Sequence, residues 1–457
     1  RKSELRIYVY DMPSEFTTRN LQWRNGQDIG LYRNFDAENR SGFVSGSLYA
    51  MELALHEWML DSPLRTPNPS EAHLFFVPIY LASLFLWPVV KFADEPYLGR
   101  ETHETKRRSH QGTLLMLEAL RYVRASAPHW NASGGRDHVF MMLHDEGPCF
   151  CPREARSAIL LTHYGYYAQV PRPWGTFYDD NFLADRGFYA KWIGNPDRPS
   201  PCFTRGKDLV IPPWKPPSFW KGTFRDPHTM QLGRRPGIVY FAGDLGFNRL
   251  IGYSRDLRQR AHALFCPPQK KAPCTKFVSG CRPDIPQNCS LWREGVTITT
   301  HSPNYHAELL RHTFCLAFPG DGWSSRVLDG IIHGCIPVII EDESQMFFEG
   351  AFELVGLGID YPDFSIRLPE ARLHELVDVL VAVPDEEVRR LQSNALRVRD
   401  YFIYKDMYNP TTRRDRRDVL LALGRPRQDA FLLLTLALEA RARAIGKLRN
   451  GSRDWWT

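Results

Sequence analysis

Short apolar runs alternate with helix-patterned stretches along this chain, and the alternation happens twice. RIYVYD (6–11), HLFFVPIY (73–80), DHVFMMLHD (137–145) and AILLTHYG (158–165) are apolar runs that end in polar or turn residues. Between them, SGSLYAMELALHEWML (45–60) and GTLLMLEALRYVRAS (112–126) carry apolar residues at helical spacing. Strand and helix signals in alternation predict a parallel sheet with helices on its faces. A second series follows the proline-rich IPPWKPPSFWKG (211–222), with GIVYFAG (237–243), TFCLAF (313–318) and IPVII (336–340) as its strands. DAFLLLTLALEARARAIGKL (429–448) reads as a late helix with a basic end. At 457 residues the chain exceeds one ordinary core. The expectation is α/β, two Rossmann-like domains facing a cleft, residues 1–225 and residues 226–457, the second carrying the late helix. Ligands of such sheets sit beyond the carboxyl ends of the strands.

Composition narrows the class. Hydrophobic residues at 43% and charged residues at 24% describe a soluble globular chain, not a disordered one. A net charge of +6 suits an enzyme of anionic ligands and is too diffuse to argue for nucleic acid. The greasiest stretch, 72–90, contains His73, Pro78 and Pro88, so a buried strand plus loop is expected, not a membrane span. The chain starts at Arg1 and is read as a processed or truncated fragment, with any membrane anchor outside these residues. Cys266, Cys274, Cys281 and Cys289 crowd one hydrophilic stretch without the close pairs of a zinc ribbon. Disulfides pinning a surface insertion are expected there, which requires an oxidising compartment. N-x-S sequons at Asn39, Asn131, Asn288 and Asn450 point the same way.

The densest motif is FPGDGWSSRVLDGIIHGCIPVIIEDE (318–343). TFCLAF suits a buried strand, PGDG breaks it, and Ser324 is placed to cap the following helix. Val327, Leu328, Ile331 and Ile332 form one apolar stripe, Gly334 ends the helix, and IPVII is the next strand. A helix start after a glycine turn suits phosphate. Arg326 and Asp329 share a helical face, Arg for a pyrophosphate and Asp for ribose hydroxyls. The bland alternative pairs Arg326 with Asp329 and leaves both structural. Glu341, Asp342 and Glu343 read as a solvated turn in preference to a metal site.

These residues carry a resemblance. The 318–343 stretch, SPLRTPNPSEAHLFFVPIY (62–80), RDHVFMMLHDEGPCF (136–150) and GYSRDLRQR (252–260) are similar to exostosin-type glycosyltransferases, glycosyltransferase family 47. PCFTRGKDLVIPPWKPP (201–217) with AFPGDGWSSR (317–326) resembles most the extensin arabinose-deficient transferases of plants and algae. The resemblance implies a GT-B fold, a UDP-sugar donor, inversion at the anomeric carbon, and neither metal nor cofactor. It also implies a glycan or hydroxyproline-rich glycoprotein acceptor and a Golgi enzyme with an N-terminal anchor. Arabinofuranose is the expected sugar; xylosyl, galactosyl or glucuronosyl transfer to a polysaccharide is the alternative, as is a silent glycan-binding partner subunit. Pairing with itself or with a relative stays open. By position, Arg258 takes the donor phosphate, Asp329 the ribose and Arg326 opens the same helix, with Ser324, Gly243 and Gly322 completing the donor side. An inverting transfer needs a base from the other domain. Asp145, near a strand's carboxyl end, is the expected base, and Glu146 and His163 are the acceptor-side or alternative-base candidates. Trp87, Trp214 and Trp323 receive no role.

Overall fold

The computed structural model describes residues 3–18, 33–34, 42–43, 51–81, 108–168, 190–191, 201–215, 232–247, 252–266, 289–405 and 428–449. The first apolar series forms β1 (Ile7–Val9), β2 (Leu74–Val77), β3 (His138–Met142) and β4 (Ile159–Thr162). A short β5 (Gly165–Tyr166) and β6 (Leu209–Val210) follow. One parallel sheet takes the order β1-β2-β3-β4-β6. Every residue of β2, β3 and β4 is buried, which is why these strands read as continuous apolar runs instead of alternating ones. Helices α1 (Met51–Asp61) and α2 (Arg108–Ser126) carry the helix-patterned stretches from residue 51 on; residues 45–50 lie outside the described residues. In the 72–90 stretch the strand is β2; residues 82–90, including Trp87, lie outside the described residues. Among the described residues no helix is long and apolar enough to cross a membrane.

The second series forms β7 (Gly237–Ala242), β8 (Val296–Thr299), β9 (His312–Ala317), β10 (Ile336–Ile339), β11 (Ser344–Gln345) and β12 (Ile366–Arg367). Its parallel sheet has the order β8-β7-β9-β10-β12. Strand order reverses at β7, so a crevice opens beyond the carboxyl ends of β7 and β9. Helices α3 (Leu257–Phe265), α4 (Tyr305–Arg311) and α5 (Arg326–Ile332) surround that crevice, and α6 (Asp385–Val398) covers the sheet.

The carboxyl edges of the two sheets meet at a seam. β5 pairs antiparallel with β11, the amide of Phe348 donates to the Val210 carbonyl at 2.8 Å, and His163 lies against Trp323. The sheets draw on residues 7–210 and 237–367; the boundary expected near 225 lies outside the described residues.

The late helix corrects the expected division. α7 (Ala430–Ala444) follows the second sheet in sequence but, besides packing on Phe352–Val355 and Arg399–Phe402, reaches back to the first unit. Phe431 stacks on Trp58 at 4.2 Å, and Glu439 accepts from Ser3 Oγ at 2.6 Å. Arg441 Nε donates to the Lys207 carbonyl at 3.0 Å. The cause is its apolar residues: Phe431, Leu434 and Leu438 join the core shared by the two units.

Three disulfides occur among the described residues: Cys149–Cys202, Cys266–Cys289 and Cys315–Cys335. The second bears out the pairing expected in the cysteine-rich stretch; Cys274 and Cys281 lie outside the described residues. Cys151 is a buried free thiol. Asn131 is exposed, and the other three sequon asparagines are outside the described residues.

Candidate donor and transfer site

The crevice at β7 and β9 is lined by one unusual loop. Gly252 has φ 93°, and Ser254, Arg255 and Asp256 follow at φ 54°, 53° and 60°. Three consecutive non-glycine residues in the left-handed region cost roughly 1–2 kcal/mol each. The PGDG turn holds them there: the Ser254 amide donates to Gly320 O and its hydroxyl to Pro319 O at 2.6 Å. Arg255, paired with Glu370 and donating to the Asp342 carbonyl, anchors the loop from below. This strained entry aims Arg258, the second residue of α3, into the crevice.

Arg258 spans the switch point. Its Nη1 donates to Asp244 O at 2.9 Å and to the Tyr253 hydroxyl at 2.7 Å, and its Nη2 reaches Phe318 O at 3.4 Å. The guanidinium lies over Phe241 and Tyr253 at 5.2 and 5.3 Å. Arg258 is 7% exposed, no carboxylate among the described residues pairs with it, and its Nε has no partner there. Burial lowers its pKa, an effect that Tyr253, Asp244 and Asp321 only partly offset. A buried cation without a counter-ion is costly, and an incoming anion removes the cost.

Arg326 and Asp329 belong to a neighbouring, self-satisfied cluster. Arg326 Nε donates to Ala242 O at 3.1 Å and Nη1 to Asp329 Oδ2 at 3.0 Å. Lys215 Nζ sits 2.7 Å from Asp329 Oδ1, and the Tyr305 hydroxyl donates to Oδ2 at 2.8 Å. Burial alone would raise the Asp329 carboxyl; Lys215 and Arg326 outweigh it and hold the group below the usual carboxylate range. Asp329 is fully buried with both oxygens engaged, so in this arrangement it offers no face to ribose hydroxyls. It orients Lys215 and Arg326 instead. Helix α5 begins at Arg326, after Ser325, and runs only seven residues. Ser324 Oγ accepts from the Arg326 amide at a long 3.4 Å, a weaker cap than its type promises. Gly243 is needed for room: a Cβ there would lie 3.2 Å from Arg326 Nη2.

The other wall comes from the first sheet. A Cβ on Gly322 would lie 2.1 Å from the Asp145 carbonyl oxygen, so the PGDG turn rests directly on the His144–Glu146 loop. Asp145 is half-buried, whereas Glu146 and His144 are buried. His163 is 2% exposed, its Nδ1 donates to Ile211 O at 2.8 Å, and burial pushes it down to about 4. Trp214 is fully buried and Trp323 lines the seam. Glu341, Asp342 and Glu343 do not form a solvated turn throughout, since Glu341 is buried beside Arg255 at 3.9 Å. Among the described residues no group of three His, Cys, Asp or Glu side chains is placed to hold a metal. Lys215, Tyr305 and Arg255 were not singled out in sequence. A lysine inside WKPP carries no local signal that it meets an aspartate over a hundred positions later.

Arg258, which pairs with no carboxylate among the described residues, thus lies at the switch point of one sheet with acids of the other facing it. The exostosin GT47 domain matches residues 1–383, and the chain belongs to that glycosyltransferase family. It is 25% identical over 390 residues to the probable beta-1,4-xylosyltransferase IRX10 of Arabidopsis thaliana, covering 85% of this chain and 74% of that one. The probable glucuronosyltransferase Os01g0926600 of Oryza sativa subsp. japonica is 24% identical, over 85% and 73% of the two chains. Of solved structures, TarM overlaps 68% of this chain and 58% of its own at 8% identity and a TM-score of 0.27, a likeness too slight to carry weight.

Proposed function

We propose that this glycosyltransferase moves a sugar from a UDP-sugar to a polysaccharide, with inversion and without a metal. The observation that carries the reading is Arg258, a buried cation without a carboxylate partner among the described residues, at the crevice where α/β sheets bind ligands. Its guanidinium meets the diphosphate and stabilises the charge that grows on it as the glycosidic bond to the donor breaks. Arg326, set by Asp329 and Ala242 O, adds a second cation at the same edge. Asp145 takes the proton of the acceptor hydroxyl; it is the half-buried acid on the facing wall, open enough to meet a glycan. Relatives named for xylose and glucuronic acid favour those sugars over the expected arabinofuranose. The disulfides favour a luminal, oxidising compartment such as the Golgi.

Calorimetry with UDP, repeated in EDTA, tests the donor site. Arg258→Ala should weaken UDP about ten- to hundred-fold, since hydrogen bonds to charged groups contribute roughly 1.5–3 kcal/mol. Wild-type affinity should be the same with EDTA. Turnover with UDP-xylose, UDP-glucuronic acid and UDP-arabinofuranose then ranks the sugars. UDP affinity untouched by Arg258→Ala refutes the site, and affinity abolished by EDTA and restored by manganese refutes the metal-free reading.

A further inference from the structure

Two buried acceptors share one small cavity at the seam between the sheets, and neither belongs to the diphosphate crevice. His163, Tyr164, Trp323, Ser324, Glu341 and Phe347 contribute to its walls. His163 Nδ1 must donate to the Ile211 carbonyl, so Nε2 carries the lone pair; it is buried and has no partner among the described residues. Glu341 Oε1 is likewise buried without a hydrogen bond, with Arg255 Nη2 its ion-pair partner at 3.9 Å. An unmade hydrogen bond at a buried acceptor is costly, so two in one cavity call for a ligand that donates. An anion is refused by both acceptors. A cation is disfavoured, because Arg255 already stands 3.9 Å from Glu341 and the imidazole is neutral. A uracil ring is excluded by size, since the free space holds about one water-sized group. Hydroxyl groups fit, because each can donate to one of the two acceptors within a space of about that size.

We infer that this cavity is a sugar-hydroxyl subsite, in which His163 Nε2 and Glu341 Oε1 accept from a sugar whose ring rests at the mouth beside Trp323. The free space is close to that of one water-sized group, so a hydroxyl enters and the ring stays outside. Its position agrees with this: Trp323 and Ser324 directly follow Gly322, the residue that touches the Asp145 loop. The inference rests on the transferase reading above and adds what it lacks, a contact that selects the sugar.

The test compares His163→Phe and Glu341→Gln with wild type in three titrations. The probes are UDP, the tightest of UDP-xylose, UDP-glucuronic acid and UDP-arabinofuranose, and xylotetraose in the presence of UDP. Both variants should bind UDP within about twofold of wild type while losing about tenfold or more for a sugar ligand. Loss with the UDP-sugar assigns the subsite to the donor, and loss with xylotetraose assigns it to the acceptor. Unchanged affinity for both sugars with UDP binding intact means that a trapped water fills the cavity, which overturns the subsite alone. Failure of the wild type to bind UDP overturns the transferase reading and the subsite with it. Should a substitution prevent folding, singly deoxygenated forms of the same sugars on the wild type decide: one position should cost about tenfold, and a flat series overturns the subsite.

Discussion

Three acid–base candidates stand within one wall of the seam, and their surroundings separate them. His163 is sealed and pushed down to about 4, which makes it a weak proton acceptor at neutral pH. Glu146 is 3% exposed, with little access for an acceptor glycan. Asp145 is half-buried at the point where the two sheets touch. Asp145→Asn is nearly isosteric and leaves Arg258 untouched, so turnover should fall by about two to four orders of magnitude. UDP affinity should stay within about twofold, because substitutions at separated sites without shared partners act independently. Stopped-time assays beside calorimetry read both quantities, and near-normal turnover moves the base elsewhere. Asp329 teaches the opposite lesson at this scale. Its residue type and helical position suit ribose, but the cations around it consume both oxygens.

At the scale of elements, glycines decide how closely the two walls approach. Gly322 rests on the Asp145 carbonyl, and a Cβ on Gly165 would lie 2.1 Å from the Gln345 carbonyl oxygen in the β5–β11 pair. Neither needs a left-handed backbone; what each lacks is room. Gly322→Ala must push the PGDG turn off the His144–Glu146 loop. Overpacking of this kind costs about 1–3 kcal/mol of stability. Displacing a base by about 1 Å lowers rate by roughly a hundred-fold. The expected signature is a modest drop in melting temperature with a large drop in kcat, and equal losses in both would show a merely unstable variant. The left-handed run 254–256 works from the other side, since the turn it leans on is the one that carries Gly322.

At the scale of the whole molecule, buried histidines set the response to acid. His163 and His333 are both pushed down to about 4 by burial, against an ordinary value near 6.5. Between those values the unfolded chain binds protons that the folded chain refuses, so stability is full above about pH 6.5 and falls as pH drops toward 4. Each histidine contributes up to about 3 kcal/mol across that window. Asp329, held low, gives stability present above its unfolded value and lost as pH falls through its folded value, so it acts later in the descent. Calorimetric melting from pH 7 to pH 4.5 should show a steady decline, shallower in His163→Phe. A flat profile in the wild type contradicts the burial of these rings.

Sequence alone determined the layers. Runs such as HVFMM and GIVYFA are apolar throughout because both faces of their strands are covered, and that composition is legible without coordinates. The second sheet's central strands and the glycine turn that follows TFCLAF were likewise readable. Two-residue strands such as β6 and β12 were not, because they are too short to show a period. Nor was the home of α7, whose apolar stripe fits any core and is assigned only by Trp58 and Ser3. The partners of Asp329, the pairing of Cys149 with Cys202, and the cavity of His163 and Glu341 all join residues far apart in the chain. Local pattern reports which face of an element is apolar, and only the packed structure decides which distant side chain meets it.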